Sequence, residues 1–284
     1  MGIRRSMAYC RLSLVSVFAT VLAFSVTPAA VGHEVWIEAD VSAAVGQEMD
    51  VWLYWGHAGN KESGDRLAAQ LSKLTAFAHS AEGREVLELD LAEDGFLAKF
   101  TPKTPGYLGL GAELQVGIVD RQVHSIPAHT RIVMYGKTIT RVAGDARAAP
   151  APIGLDLELV PVAPAAQPRV GDLMTVRVLH KGQPVGGRQV QIKAATSGGR
   201  QAMDDPRVQN WEWSTEAMAD PRTGEATFPL IVAGQHLFIA RYTDETAGTY
   251  DGPRNDKSDF SYLRPGDTFE RTMHVSTLTI QVAE

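Results

Sequence analysis

The sequence predicts an all-β protein of two β-sandwich domains, and three observations carry that reading. Apolar residues recur in short alternating bursts rather than at helical spacing, and clusters of glycine, proline and aspartate punctuate the bursts. One alanine- and proline-rich stretch then divides the alternation into two blocks. Period-two alternation is what a strand with one buried face requires, and frequent turn residues suit antiparallel connections.

In the first block the bursts are VWIEA (35–39), MDVWLYW (49–55), EVLELDLA (85–92), FLAKFTP (96–102), YLGLGAELQVGIV (107–119) and TRIVMYG (130–136), with GQEMD, AEDG and TPKTPG among the separators. They predict an N-terminal sandwich over residues 33–145. Within it only ESGDRLAAQLSKLTAFA (62–78) has helical spacing, through Leu67, Leu71 and Leu74, which predicts a turn or two of helix running into a strand. Residues 146–154 have no period and read as a linker.

Alternation resumes in LDLELVPV (155–162), LMTVRVLHKGQPVGGRQVQIKA (173–194), GEATFPLIVAGQHLFIARY (224–242) and HVSTLTIQV (274–282). These predict a C-terminal sandwich of the immunoglobulin or transthyretin kind over residues 155–284, with KGQP as a hairpin turn and Gly224 in a turn that needs positive φ. The polar stretch TDETAGTYDGPRNDKSDFSYLRPGDTFER (243–271) shows no sustained period and reads as a long loop.

Residues 1–32 read as a secretory signal: Arg4, Arg5 and Arg11 precede an uncharged apolar run from Leu12 to Val26. The run is shorter than the roughly 20 residues that span a bilayer, so cleavage and a secreted, periplasmic location are expected, without direct membrane insertion. Cys10 is the single cysteine and leaves with this segment, which excludes disulfides and thiolate metal sites from the remainder. Loss of the three arginines takes the net charge from −6 to −9, and an acidic protein is a poor partner for nucleic acid.

Signal peptidase selects small residues at positions −3 and −1, and a cut after Gly32 places Ala30 and Gly32 there. His33 then becomes the N-terminus, and its α-amine and imidazole can chelate one metal ion. An amine pKa of about 8 lets a metal displace the proton near neutrality. A cut after Ala30 would leave Val31-Gly32-His33, which also wraps an ion in nitrogen ligands. A second imidazole would complete a set suited to copper(II) or nickel(II). His57 follows Gly56 at the end of an aromatic strand, and antiparallel pairing of 34–39 with 49–55 would bring it to the end of the sheet where His33 begins. HSIPAH adds His124 and His129, with Pro127 between them precluding a regular helix; such a loop could hold zinc. His79, His180, His236 and His274 have no partner at ligand spacing. His274 would gain interest only if the last strand folded towards the first domain. Glu34, Glu38 and Asp40 alternate along the first strand, and a solvated face is expected for them.

HEVWIE, followed by VWLYWGH, resembles the periplasmic component family of nickel and cobalt uptake transporters. LELVPV, GDLMTVRVLHKGQPVGGRQV, GEATFPL, YTDE and STLTIQV occur in that family's order, so the resemblance covers most of residues 33–284. It implies a divalent transition-metal cofactor, nickel or cobalt with copper or zinc as other candidates, and a membrane metal transporter, a permease complex, as partner. His33 and His57 are the matching positions. AGNKESGDRLAAQ after His57 replaces a more apolar, proline-bearing loop of the family.

Two other classes remain open on the residues alone. A copper ion on an N-terminal histidine is the arrangement of polysaccharide monooxygenases, and Trp211 and Trp213 could dock a glycan. A sandwich pair that binds a protein partner without metal is the third reading. Nucleotide-binding and Ser-His-Asp motifs are missing from the sequence, so the expectation is a binding protein rather than an enzyme.

Overall fold

The computed structural model describes residues 33–57, 60–62, 66, 68–123, 125–143, 150–162, 167–196, 213–258 and 261–284. The expected signal segment, His124 and Trp211 lie outside the described residues. The strands of five residues or more are β1 (Glu34–Ala39), β2 (Met49–His57), β3 (Leu74–Ser80), β4 (Gly83–Leu87), β5 (Phe96–Phe100), β6 (Gly106–Val119) and β7 (Thr130–Val142) in the first half. The second half supplies β8 (Leu157–Pro161), β9 (Leu173–His180), β10 (Gln191–Thr196), β11 (Trp213–Met218), β12 (Glu225–Pro229), β13 (Gly234–Asp244) and β14 (Arg271–Val282). The fold is all-β, built from packed sheets, as the alternation predicts. Arg66 and Ala68 are helical, and a 3-10 turn at Leu71–Lys73 runs directly into β3.

The sheets are arranged as three layers. An eleven-stranded central sheet runs β11-β10-β13-β14-β7-β6 and continues through the short strands Ser261–Leu263 and Asn255–Ser258; β3 extends β6, β4 extends β3, and Ser42–Ala43 lies along β7. β1, β2 and β5, with Asn60–Lys61 and Asp90–Leu91, form a sheet over one face. β8, β9, Gln183–Pro184 and β12 form a sheet over the other.

The seam between the halves is β7 beside β14. These strands pair in parallel over nine residues, from Thr130 opposite Arg271 to Thr138 opposite Thr279. The last strand thus lies against the last long strand of the first block, and the two halves share one sheet.

Because successive strand residues point to opposite faces, each central strand feeds two cores. Ile132 and Met134 of β7, with Leu237 and Ile239 of β13, pack towards the first outer sheet together with Val35, Ile37, Leu53 and Phe96. Val133 and Tyr135, with Phe238 and Ala240, pack towards the second with Leu157, Leu159, Val176 and Phe228. Burial on both faces explains why β7 and β14 read as nearly continuous apolar or small-polar runs instead of an in-out pattern.

β1 lies close on the central sheet. A Cβ at Gly136 would stand 3.1 Å from a methyl of Val35 and 3.3 Å from the Trp36 Cα, so the missing side chain lets the two backbones approach. The Thr277 hydroxyl donates to the Val35 carbonyl at 2.7 Å, and Arg241 of β13 bonds the Glu34 carboxylate at 2.8 Å. Glu34 is fully buried, which corrects the expected solvated face at that position. The reason is the arginine on the sheet beneath, a partner with no sequence neighbour relation to β1.

On the side of the second outer sheet the buried Lys137 ammonium meets Glu158 Oε1 at 2.5 Å. Glu158 also accepts the backbone N–H groups of Ile153, Gly154 and Leu155, so it ties the second outer sheet and the chain leading into it to the central sheet. Residues 243–271, expected as one long loop, instead contain paired short strands, Gly248–Thr249 with Thr268–Phe269 and Asn255–Ser258 with Ser261–Leu263. Tyr250, Leu263 and Phe269 there bury a small satellite core with Ile118.

Candidate metal centre

The antiparallel register of β1 and β2 sets Glu34 opposite Gly56 and Val35 opposite Trp55. One step outward, the backbones of His33 and His57 meet at the same end of the first outer sheet. β2 then turns back, with His57 opposite Asn60 and Gly56 opposite Lys61, and Glu62 follows directly. The Glu62 N–H bonds the Trp55 carbonyl at 2.9 Å, which returns the Glu62 side chain to the start of β1.

There the His33 ring stacks on Trp55, with centroids 4.3 Å apart and planes 19° apart. Its Nε2 lies 2.6 Å from Glu62 Oε1, and Arg66 donates to the other carboxylate oxygen at 3.1 Å. Burial pushes the Glu62 carboxyl up, but the His33 hydrogen bond and charge, with Arg66, outweigh it and hold the group below its usual range. Glu62 is therefore an ionised acceptor near neutrality and Nε2–H the donor. With Nε2 turned to Glu62, Nδ1 is the ring nitrogen on the side of the residue's own backbone nitrogen. That is the atom an α-amine chelate would use.

His129 stands elsewhere, on the central sheet at the turn into β7. It is exposed and has a left-handed backbone, φ 57°. Its N–H bonds the Val119 carbonyl and its carbonyl accepts from Glu270, so its backbone stitches the entry to the β6, β7 and β14 ladder. His33 and His57 share a sheet end, whereas His129 belongs to a different layer.

A second group of ligand-type residues was not legible from spacing. His180, Asp244 and His274 each place one ligand atom within 4.8 Å of the others. His180 ends β9 at the two-residue turn Lys181-Gly182, where both residues have positive φ (50° and 76°), the geometry of a type I′ hairpin. Asp244 ends β13, and His274 of β14 pairs with Tyr242 two residues before it. The group thus forms where the end of β9 in the second outer sheet meets the ends of β13 and β14 in the central sheet, and the pairing of β14 with β13 delivers His274.

Within the group His180 Nε2 is 3.7 Å from Asp244 Oδ2, and the two imidazole rings have centroids 5.1 Å apart. The Tyr135 hydroxyl holds His274 Nδ1 at 3.0 Å. Lys181 reaches Asp244 Oδ2 at 3.2 Å, and the Thr246 N–H reaches its other oxygen at 3.0 Å. Burial lowers the His274 pKa to about 3, with nearby His180 adding to the effect and Asp244 opposing it. Burial and Lys181 also lower His180, against the pull of Asp244 and Asp156. At Asp244 burial acts upwards, yet the Thr246 bonds and Lys181 bring the carboxyl down to about 2. Near pH 7 the group is two neutral imidazoles and a carboxylate.

A family model described as "Domain of unknown function (DUF4198)" matches residues 30–244. The chain belongs to this family. The DUF4198 match takes in His33, His57, Glu62, His180 and Asp244, while His274 lies beyond it on the strand that closes the central sheet. No curated protein matches the chain. Among the described residues no helix is long and apolar enough to cross a membrane.

Proposed function

We propose that this DUF4198 protein is a periplasmic binding protein for a divalent transition metal. In this reading the ion is held at the start of β1 and assists nickel or cobalt import by a membrane permease. The α-amine and Nδ1 of His33, freed as an N-terminus by removal of residues 1–32, form the chelate, and His57 adds a further nitrogen. The observation that supports this reading is the 2.6 Å contact of His33 Nε2 with Glu62. Ligand imidazoles characteristically donate their remaining N–H to a carboxylate, which fixes the tautomer and the ring orientation. Stacking on Trp55 holds the ring further, and the pairing of Glu34 with Gly56 carries His57 to the same sheet end. Nitrogen ligands of this kind suit nickel and cobalt, and copper or zinc as well. A site for uptake needs affinity and an exchangeable position rather than an acid or base.

The test is nickel titration calorimetry on protein exported through its own leader, with native mass spectrometry to read the N-terminus. Processing before His33, one nickel bound per chain and at least tenfold weaker binding in His57→Ala are the expected results. Unchanged affinity in His57→Ala removes that residue from the site. A chain whose N-terminus precludes the chelate, and which retains no ion, refutes the reading.

A further inference from the structure

We propose that His180, Asp244 and His274 form a second metal site, which takes a divalent first-row ion such as zinc and stands apart from the chelate at His33. Two imidazoles and one carboxylate are an established ligand set for zinc, which accepts three protein ligands and keeps a fourth position for water. Ligand atoms about 2.1 Å from a tetrahedral centre are about 3.4 Å from one another. The 3.7 Å between His180 Nε2 and Asp244 Oδ2 is already near that value. Side-chain rotations bring the third ligand, from within 4.8 Å, to its place.

Three features of the surroundings point to an ion rather than to a packed polar cluster. The first is that His180 Nε2 is buried and has no hydrogen-bond partner among the described residues, a cost that a bound cation would remove. The second is the Tyr135 phenol beside His274 Nδ1. A neutral His274 that donates from Nδ1 to that oxygen presents Nε2 as a free lone pair, in the manner of a supported metal ligand. The third is open space. Asp244, His274 and Tyr135 line a cavity of about 170 Å³ together with Arg131, Asp156 and Lys181, so water or a small anion can fill the remaining coordination position.

Lys181 supplies the positive charge that Asp244 meets across this group. Its ammonium sits on the same Asp244 oxygen that faces His180, but its side chain is 58% exposed and can swing into solvent. Lys181 is thus a competitor, and metal binding exchanges one positive charge for two. This gives the site a signature that a purely structural cluster lacks: removing Lys181 should strengthen metal binding.

The experiment uses the full chain carrying His33→Ala, so that the chelate at β1 is absent, with zinc titration calorimetry and cobalt(II) absorption as readouts. One zinc per chain is expected, with visible cobalt bands of a four- or five-coordinate site. His180→Gln, at the partly exposed ligand, should weaken zinc at least tenfold, and Lys181→Met should tighten it several-fold. Lys181→Met removes only an exposed side chain, so it stays informative if a ligand substitution disturbs folding. Absence of zinc binding, unchanged affinity in His180→Gln, or no tightening in Lys181→Met each overturns the proposal. Nickel bound at His33 in the parent chain is untouched by any of these outcomes, so the two sites stand or fall separately.

Discussion

Replacing Lys137 with methionine tests whether the central sheet and the second outer sheet are clamped by charge. The Lys137 side chain is wholly buried and Glu158 is 2% exposed, with 2.5 Å between ammonium and carboxylate. Burial pulls the Lys137 pKa down, and Glu158 pulls it back up. Methionine has nearly the same length and fills the space, so little packing is lost. What remains is a buried carboxylate without its cation, and removing one member of such a pair costs about 3–5 kcal/mol. Three backbone N–H groups still serve Glu158, which places the loss near the lower end, about 3 kcal/mol. With a urea m-value of about 3 kcal/mol per molar, the midpoint should fall by about 1 M at unchanged slope. Adding Glu158→Gln should recover part of that loss, because no charge is left to desolvate and an amide oxygen in place of Oε2 still accepts from Gly154 and Leu155, although the Ile153 N–H loses its acceptor. The assay is equilibrium urea unfolding at pH 7 followed by tryptophan fluorescence and circular dichroism. A Lys137→Met midpoint within 0.2 M (about 0.6 kcal/mol) of the parent would refute the argument.

At the β1 end, Glu62→Gln should weaken nickel binding by about tenfold in calorimetry, since acceptors behind metal ligands carry effects of roughly 10–100-fold. Gly224 has φ 70°, and a Cβ there would stand 2.6 Å from the Val178 carbonyl oxygen, so Gly224→Ala should cost about 1–3 kcal/mol in a thermal melt. His236 is 2% exposed; burial lowers its pKa, with the Val232 carbonyl bond opposing. The fold therefore favours its neutral form, and its contribution is complete above the unfolded value of about 6.5 and is lost as pH falls from there through the lower folded-state pKa. Unfolding free energy should drop as pH falls below about 6.5 with a slope of at most about 1.4 kcal/mol per pH unit from this group, and His236→Gln should flatten the profile measured by urea titration at each pH.

How far the sequence reached can be judged residue by residue. The strand bursts, the Lys181-Gly182 turn and the turn glycine at 224 were legible because side-chain alternation and positive φ are local properties. So was the end-to-end relation of His33 and His57, because antiparallel pairing of neighbouring strands leaves little choice of register. Glu34 misled, since its burial depends on Arg241, 207 residues away. Residues 243–271 misled because their short strands pair with one another and with β6 by long-range contact rather than by an apolar pattern of their own. His180 and His274 looked ordinary for the same reason: no spacing rule relates residues that meet across two sheets.

The chain alone determined its class, the positions of most of its long strands and the chemistry available to it: imidazoles, carboxylates and no thiol after Cys10. Only the tertiary structure decided that β14 lies parallel to β7, that both faces of their common sheet are covered, and that His180, Asp244 and His274 converge where the ends of its inner strands meet the second outer sheet. The physical reason is that periodicity states which residues seek burial or solvent. Which distant strand supplies the partner depends on how the layers stack, and that follows from packing the whole chain at once.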